Sequence, residues 1–200
     1  MENFVLLTEL ADVRTGYTLK NLGDWTEESK DYLPTLEYIS IIQPKNLDTW
    51  EPSSCLKIKS DSISQLEKHL LRSGDLLLAN KGVKFNTFLY KKLPEKAIAS
   101  SSFYVIHINN SEVDSGFLAW YLNDPSAKQY FQQNLRGITI PSITKSVVEN
   151  LKVPLPSFGR QKQIVELAEL YEEEKKLLLL LSQKKQDFIR EHIWNIIENS

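Results

Sequence analysis

The chain has little of what fixes small secreted or metal-dependent frameworks. One residue in 200 is cysteine, Cys55. An internal disulfide is therefore excluded, and the usage suits a reducing compartment. No apolar stretch approaches the roughly 18 residues needed to span a bilayer. The longest, Leu177 to Leu181, lies between Lys175, Lys176 and Lys184, Lys185. The opening Met-Glu-Asn-Phe-Val-Leu-Leu-Thr-Glu has acids where a signal peptide carries Lys or Arg, and its apolar run is short. A cytoplasmic protein without membrane association is the expectation.

Catalytic patterns are also missing. His69, His107 and His192 fall in unrelated segments without metal-ligand spacing. Cys55, beside Ser53 and Ser54, has no neighbouring motif to activate it. There is no Gly-x-Gly-x-x-Gly, no phosphate-cradling glycine loop, no His-Glu-x-x-His and no Gly-x-Ser-x-Gly. The Asn/Asp-Pro-Pro-Tyr tetrapeptide that likeness to amino-methyltransferases would require is absent too. Asp75 with Lys81 and Lys84 loosely resembles a nuclease pattern, but one acid is too few, and Asp75 more simply fixes the turn at Gly74 by accepting from backbone N–H groups. No catalytic residue and no metal site is assigned.

What is present is unevenly distributed. Net charge is −2, with 42% hydrophobic and 25% charged residues, ordinary for a globular chain. Residues 1–56 hold four Lys/Arg against ten Asp/Glu, or −6, and residues 57–96 hold nine against four, or +5. A basic region in a neutral chain can meet phosphate while acids elsewhere suppress indiscriminate adhesion. The same imbalance also fits an ordinary solvated surface.

The pattern along the chain predicts mixed elements. Residues 4–13 read as a strand or short helix, and Gly16 as a turn. Residues 25–32 read as a polar loop, 35–42 as a strand, and 63–72 as helical from apolar spacing. Gly74-Asp-Leu-Leu-Leu-Ala-Asn-Lys-Gly82 is turn, buried strand, turn, with residues 86–90 as the returning arm. Residues 97–108 read as one strand. Asp114 or Ser115 caps a helix; Asp124 caps the next, with Pro125 at its first position and Gly137 beyond its end. A short helix over 144–150 and an edge strand over 151–155 follow.

From Arg160 almost to the terminus there is neither Pro nor Gly. Close to forty helical residues extend about 60 Å. Leu167, Leu170, Glu174, Leu177, Leu181, Lys184 and Phe188 alternate spacings of three and four. Ile164, Tyr171, Leu178, Ile189, Ile193, Trp194 and Ile197 make a second stripe. So many large apolar side chains over about eleven turns call for a partner helix. The alternative is a helix folded back over its own domain, which is too small to cover that length.

In this order the segments resemble the specificity subunit of type I restriction–modification enzymes. The resemblance is carried by Leu10-Ala-Asp-Val-Arg-Thr-Gly16, the Gly74 to Gly82 run, Phe117-Leu-Ala-Trp-Tyr-Leu-Asn123, Thr139-Ile-Pro-Ser-Ile-Thr-Lys145, Asn150-Leu-Lys-Val-Pro-Leu-Pro156 and Gln161-Lys-Gln-Ile164. Each motif is weak alone; the order over essentially the whole chain is specific. Where the family often has Arg after the hydrophobic strand, this chain has Asn80 followed by Lys81. Before Gln161 it has Gly159-Arg160 in place of an acidic pair.

The resemblance implies an α+β fold: a globular, mixed target-recognition domain over 1–156, then over 157–200 one long C-terminal helix in an intermolecular antiparallel coiled coil. Such subunits normally carry two recognition domains, each followed by a long helix, and each domain reads half of a split DNA site. This chain has the length of one half, so a homodimer is implied. Expected DNA-binding residues are Arg14, Lys20, Asn80, Lys81, Lys84, Asn86 and Thr87, with Tyr17 and Phe85 on sugars or in the core. Expected dimerisation residues are Leu167, Leu170, Leu177, Leu181 and Phe188. The chain itself is expected to be non-catalytic and cofactor-free. The implied partners are double-stranded DNA, a methyltransferase subunit and, through it, a restriction subunit, with S-adenosylmethionine, ATP and Mg on those partners. Two alternatives stand beside this: a scaffold or inhibitory half-subunit that docks on a methyltransferase without binding DNA, and a stand-alone nuclease.

Overall fold

Residues 4–18, 38–47, 55–59, 66–91 and 96–199 are described by the computed structural model. Within them, β1 (Phe4–Leu6) leads through the single-turn α1 (Leu7–Leu10) into β2 (Ala11–Thr15). Then come β3 (Tyr38–Ile42), β4 (Leu56–Lys59), β5 (Leu76–Ala79), β6 (Thr87–Leu89), β7 (Lys96–Ala99) and β8 (Phe103–Ile108). Helices α2 (Ser115–Asn123), α3 (Pro125–Gln133) and α4 (Lys145–Glu149) precede β9 (Lys152–Pro154) and α5 (Phe158–Glu198). Strands order as β2-β8-β5-β6, all antiparallel, as β4-β3-β7, with β3 and β7 parallel, and as the pair β1-β9.

Alternation along the central strands sets the layers. Leu76 and Leu78 join the core under α2 and α3, as do Tyr104 and Ile106 from β8. Leu77, Phe103 and Val105 point the other way, against Ile42, Ala97 and Ala99 of the three-stranded sheet. Strand β5 is thus buried on both faces, which is why its sequence is an unbroken apolar run. Ile39, Ile41 and Ile98 occupy the far side of the second sheet with Leu66. The order is helices, four-stranded sheet, three-stranded sheet.

Several expectations change. Residues 97–108 form two strands, because Ser100, Ser101 and Ser102 carry the chain from one sheet to the other; Ser100 N–H donates to Ile42 O (2.9 Å) and Phe103 N–H to Ser100 O (3.0 Å). Gly16 does not mark a turn. It lies against that crossover, where a Cβ would collide with Ser100 O, so glycine is needed for close approach. Residues 4–13 are a strand, one helical turn and a strand rather than one element. The helical spacing over 63–72 yields one 3-10 turn, Glu67–His69, in its described part. There Leu70 becomes extended, bridges Ile98, and Leu71 N–H donates to Ala97 O (2.8 Å), so sheet pairing overrides apolar spacing. The loop over 25–32 and Lys20 lie outside the described residues.

Caps behave as their residues dictate. Asp114 accepts from Phe117 N–H (3.0 Å) and Asp124 from Ser126 N–H (2.8 Å), and Pro125 opens α3. Helix α5 is rooted at its start. Gln161, fully buried, accepts from Asp114 N–H and donates to Glu112 O and Pro156 O, each at 2.8 Å. Gly116 on α2 lets the Val165 side chain approach: a Cβ there would sit 3.1 Å from Val165 Cγ1. Beyond Ala168 every described residue of α5 is exposed. The helix does not fold back over the domain.

Candidate nucleic-acid interface

Three loops meet at one end of the four-stranded sheet: residues 80–86 between β5 and β6, the serine crossover 100–102, and residues 136–142 between α3 and α4. Asn80 ties them together. Its N–H donates to Ser102 O (3.0 Å), its side-chain amide to Ser101 O (3.1 Å), and its carbonyl accepts from Ile143 N–H (3.2 Å). Lys81 bridges Ser142, and Gly82 N–H donates to Pro141 O (2.8 Å). Arg136 and Ser142 exchange two backbone bonds of 2.9 Å, closing the third loop. Gly137 has φ 90°, and a Cβ on it would stand 2.8 Å from Ile140 O, so both its dihedral and its neighbour favour glycine. Behind this loop, buried Tyr104 donates from its hydroxyl to Ile143 O and Tyr130 donates to Val147 O, both at 3.1 Å. Burial raises both phenol pKa values, so they remain donors.

The expected DNA-binding residues divide. Lys81 and Lys84 project into solvent. Asn80 is only 6% exposed, and its amide is engaged with Ser101 O. Thr87 is buried too, with Asn123 holding its N–H (3.0 Å) and its carbonyl (2.7 Å). Asn86 Oδ1 accepts from Lys128 Nζ (3.1 Å). Asn80 Oδ1 and Thr87 Oγ1 have no protein partner. Phe85 packs in the core edge-on to Phe131, at 5.9 Å between centroids, and Tyr17 stands edge-on to His69 at 5.0 Å.

Arg14 belongs to a different cluster. Its guanidinium donates to Lys68 O and to Leu70 O (2.8 Å) and lies 3.8 Å from Asp75. The buried Asp75 carboxylate also accepts from Arg72 N–H (2.9 Å) and from His107 Nδ1 (2.7 Å). Arg72 Nη1 reaches His107 Nε2 at 3.3 Å, which fits the tautomer with its proton on Nδ1. Burial lowers the Arg14 pKa, with Asp75 opposing and Arg72 adding to the shift. This group clamps residues 66–72 to β2 and the Gly74 turn.

Two features beside the three loops escaped the sequence reading. Arg136 is exposed next to Lys81, and an open cleft of about 470 Å³ is lined by Thr18, Gln43, Pro44, Lys45, Ser100, Ser101 and Ser102. The signal for the first was available: residues 134–148 contain no acid, and Arg136-Gly137 announces an exposed turn. The cleft required the pairing of distant segments. Among the described residues no set of three His, Cys, Asp or Glu is placed to hold a metal, and no helix is long and apolar enough to cross a membrane. On α5, Leu167, Leu170, Leu177, Leu181 and Phe188 are all 51–69% exposed.

Comparison with known proteins gives a consistent picture. A family model described as "Type I restriction modification DNA specificity domain" matches residues 2–188. A curated relative, the type I restriction enzyme MjaVIII specificity subunit of Methanocaldococcus jannaschii, is 27% identical over 166 residues, covering 81% of this chain and 37% of the relative. The crystal structure of a type I restriction–modification S subunit from M. genitalium matches with TM-score 0.56 and 17% identity, over 86% of this chain and 40% of that one. A structure described for the complex assembly and conformational transition of a type I R-M system matches with TM-score 0.59 and 18% identity, over 88% and 39%. The solved structures support the mixed fold with its long C-terminal helix. The chain spans about two fifths of the length of these relatives.

Proposed function

Because this chain belongs to the type I restriction–modification DNA specificity family, matched over residues 2–188, we propose that it reads one half of a bipartite duplex DNA target. Helix α5 pairs antiparallel with the equivalent helix of a second copy, placing two readers at a fixed separation. Inverted half-sites with a spacer follow from that two-fold arrangement. The chain is non-catalytic and acts in the cytoplasm. Methyl transfer and cleavage reside on partner methyltransferase and restriction subunits, which bring S-adenosylmethionine, ATP and Mg.

The observation that carries this reading is the pairing of a free apolar helix with a loop end whose exposed charges are all cationic. Lys81, Lys84 and Arg136 form no ion pair among the described residues. Their role is phosphate contact, which positions the reader without specifying sequence. Asn80 and Thr87 are base readers only if they turn outward from their buried positions. That inward placement, with the net charge of −2, favours the second reading, a scaffold that docks on a methyltransferase without reading DNA.

Selection from randomised duplexes, with and without the methyltransferase partner, separates the two. Recovery of a split, inverted motif whose affinity falls steeply with salt is the expected result. Recovery of no motif under either condition sinks the reader and leaves the scaffold.

A further inference from the structure

The loop over residues 136–142 is built to be rigid and yet displays apolar side chains to solvent. Ile138 is fully exposed at its tip (103%) and Ile140 is 63% exposed. Val83, 57% exposed, stands on the neighbouring turn, tied to this loop through Gly82 N–H and Pro141 O. Such a cluster has a cost in water and marks a contact surface. Its surroundings identify the kind of partner. Residues 76–91 and 134–148 together contain five Lys/Arg (81, 84, 91, 136 and 145) and no Asp or Glu. Of these, Lys81, Lys84 and Arg136 are exposed around the apolar tip. A protein partner would ordinarily meet an apolar centre with a polar rim and would need a patch of opposite charge to match a one-sign rim. A rim of one sign around an apolar tip matches a polyanion that offers apolar edges between its phosphates, as a groove of duplex DNA does.

We propose that residues 136–142 form an apolar prong that enters a groove of the duplex, with Ile138 leading and Ile140 and Val83 packing on sugars, thymine methyls or a base step. Arg136, Lys81 and Lys84 take the flanking phosphates. The backbone ladder from Arg136 to Ser142 and the Tyr104 hydroxyl brace the prong from behind. Insertion therefore requires no ordering of the loop, and apolar contact adds shape-dependent selectivity where no hydrogen bond reads a base. This inference rests on the DNA-reading proposal above.

The test uses the full chain, with its methyltransferase partner if that is needed for binding, and the selected duplex. The double variant Ile138→Ser, Ile140→Ser should bind about tenfold or more weakly with an unchanged salt slope, because apolar contacts release no counterions. Arg136→Gln should lower the slope by about one. Ile138→Val should retain binding to within about threefold, since it keeps most of the apolar surface. Thermal melts should stay close to the parent, because Ile138 is fully exposed and Ile140 mostly so. If the double variant binds as the parent does, the prong is refuted while the reader stands. If it keeps DNA binding but no longer co-purifies with the methyltransferase, the surface is a protein interface and the inference is wrong. If the parent selects no DNA, reader and prong fall together.

Discussion

At the scale of single residues, the buried carboxylate of Asp75 and the half-buried imidazole of His69 fix what surrounds the interface. Asp75 has no solvent exposure and satisfies Arg72 N–H, His107 and, at longer range, Arg14. Asp75→Ala should cost about 2–3 kcal/mol in urea unfolding, below the full penalty for a broken buried pair because the Arg14 and His107 side chains retain partial access to water. Asp75→Asn, which still accepts from Arg72 N–H, should cost less. His69 gives a pH signature. Burial, then the charges of Arg14 and Lys68, lower its pKa below the usual value. The unfolded chain therefore binds the extra proton first, and stability is lost progressively as pH falls below about 6.5 towards the lower folded-state value. His69→Gln should lose less melting temperature than the parent between about pH 7.5 and about pH 5. The sequence made the Asp75 turn legible, since Gly-Asp is a local signal. It did not reveal His107 or Arg14 as partners, because those contacts join residues 32 and more than 50 positions apart.

At the scale of elements, local chemistry was legible and the pairing of strands was not. Asp114, Asp124 and Pro125 sit at helix starts because their side chains satisfy or spare amides that the helix leaves free. The β5–β6 hairpin follows from its glycine-bounded apolar run. The break at Ser100 was hidden because residues 97–108 are apolar on both sides of a serine triplet that suits an extended chain equally well. Gln161 is the element-scale test. Gln161→Ala would leave Asp114 N–H, Glu112 O and Pro156 O unpaired and should weaken the attachment of α5 by about 2–3 kcal/mol. Faster amide exchange at Asp114 and earlier proteolysis near residues 155–161 would report it. Gln161→Glu should not rescue, because it keeps one acceptor and loses both donations.

At the scale of the molecule, the helix stripe in the sequence foretold an unburied α5, whereas the loop end was legible only in part. Lys81 and Lys84 were expected there from the family resemblance and the basic stretch around them, and both are exposed, but Arg136 comes beside Lys81 only through backbone bridges to Ser142 that no spacing rule encodes. If α5 pairs through its Leu167–Phe188 face, Leu177→Lys with Leu181→Lys should convert a dimer to a monomer by light scattering at micromolar concentration. The domain's melting transition should be preserved, because neither residue touches the core. A parent chain that is already monomeric at that concentration would count heavily against the pairing.

Beyond Ala168 the helix is an unsupported arm about 45 Å long, held by Gln161 and by the close fit of Val165 on Gly116. Such an arm magnifies angles: a tilt of about 10° at its root displaces its tip by about 8 Å. The few atoms around Gln161 therefore govern the position of everything attached at the far end. Tolerance for substitution at that root is set by leverage, and a change too small to unfold the domain can still carry the tip out of reach of whatever it meets.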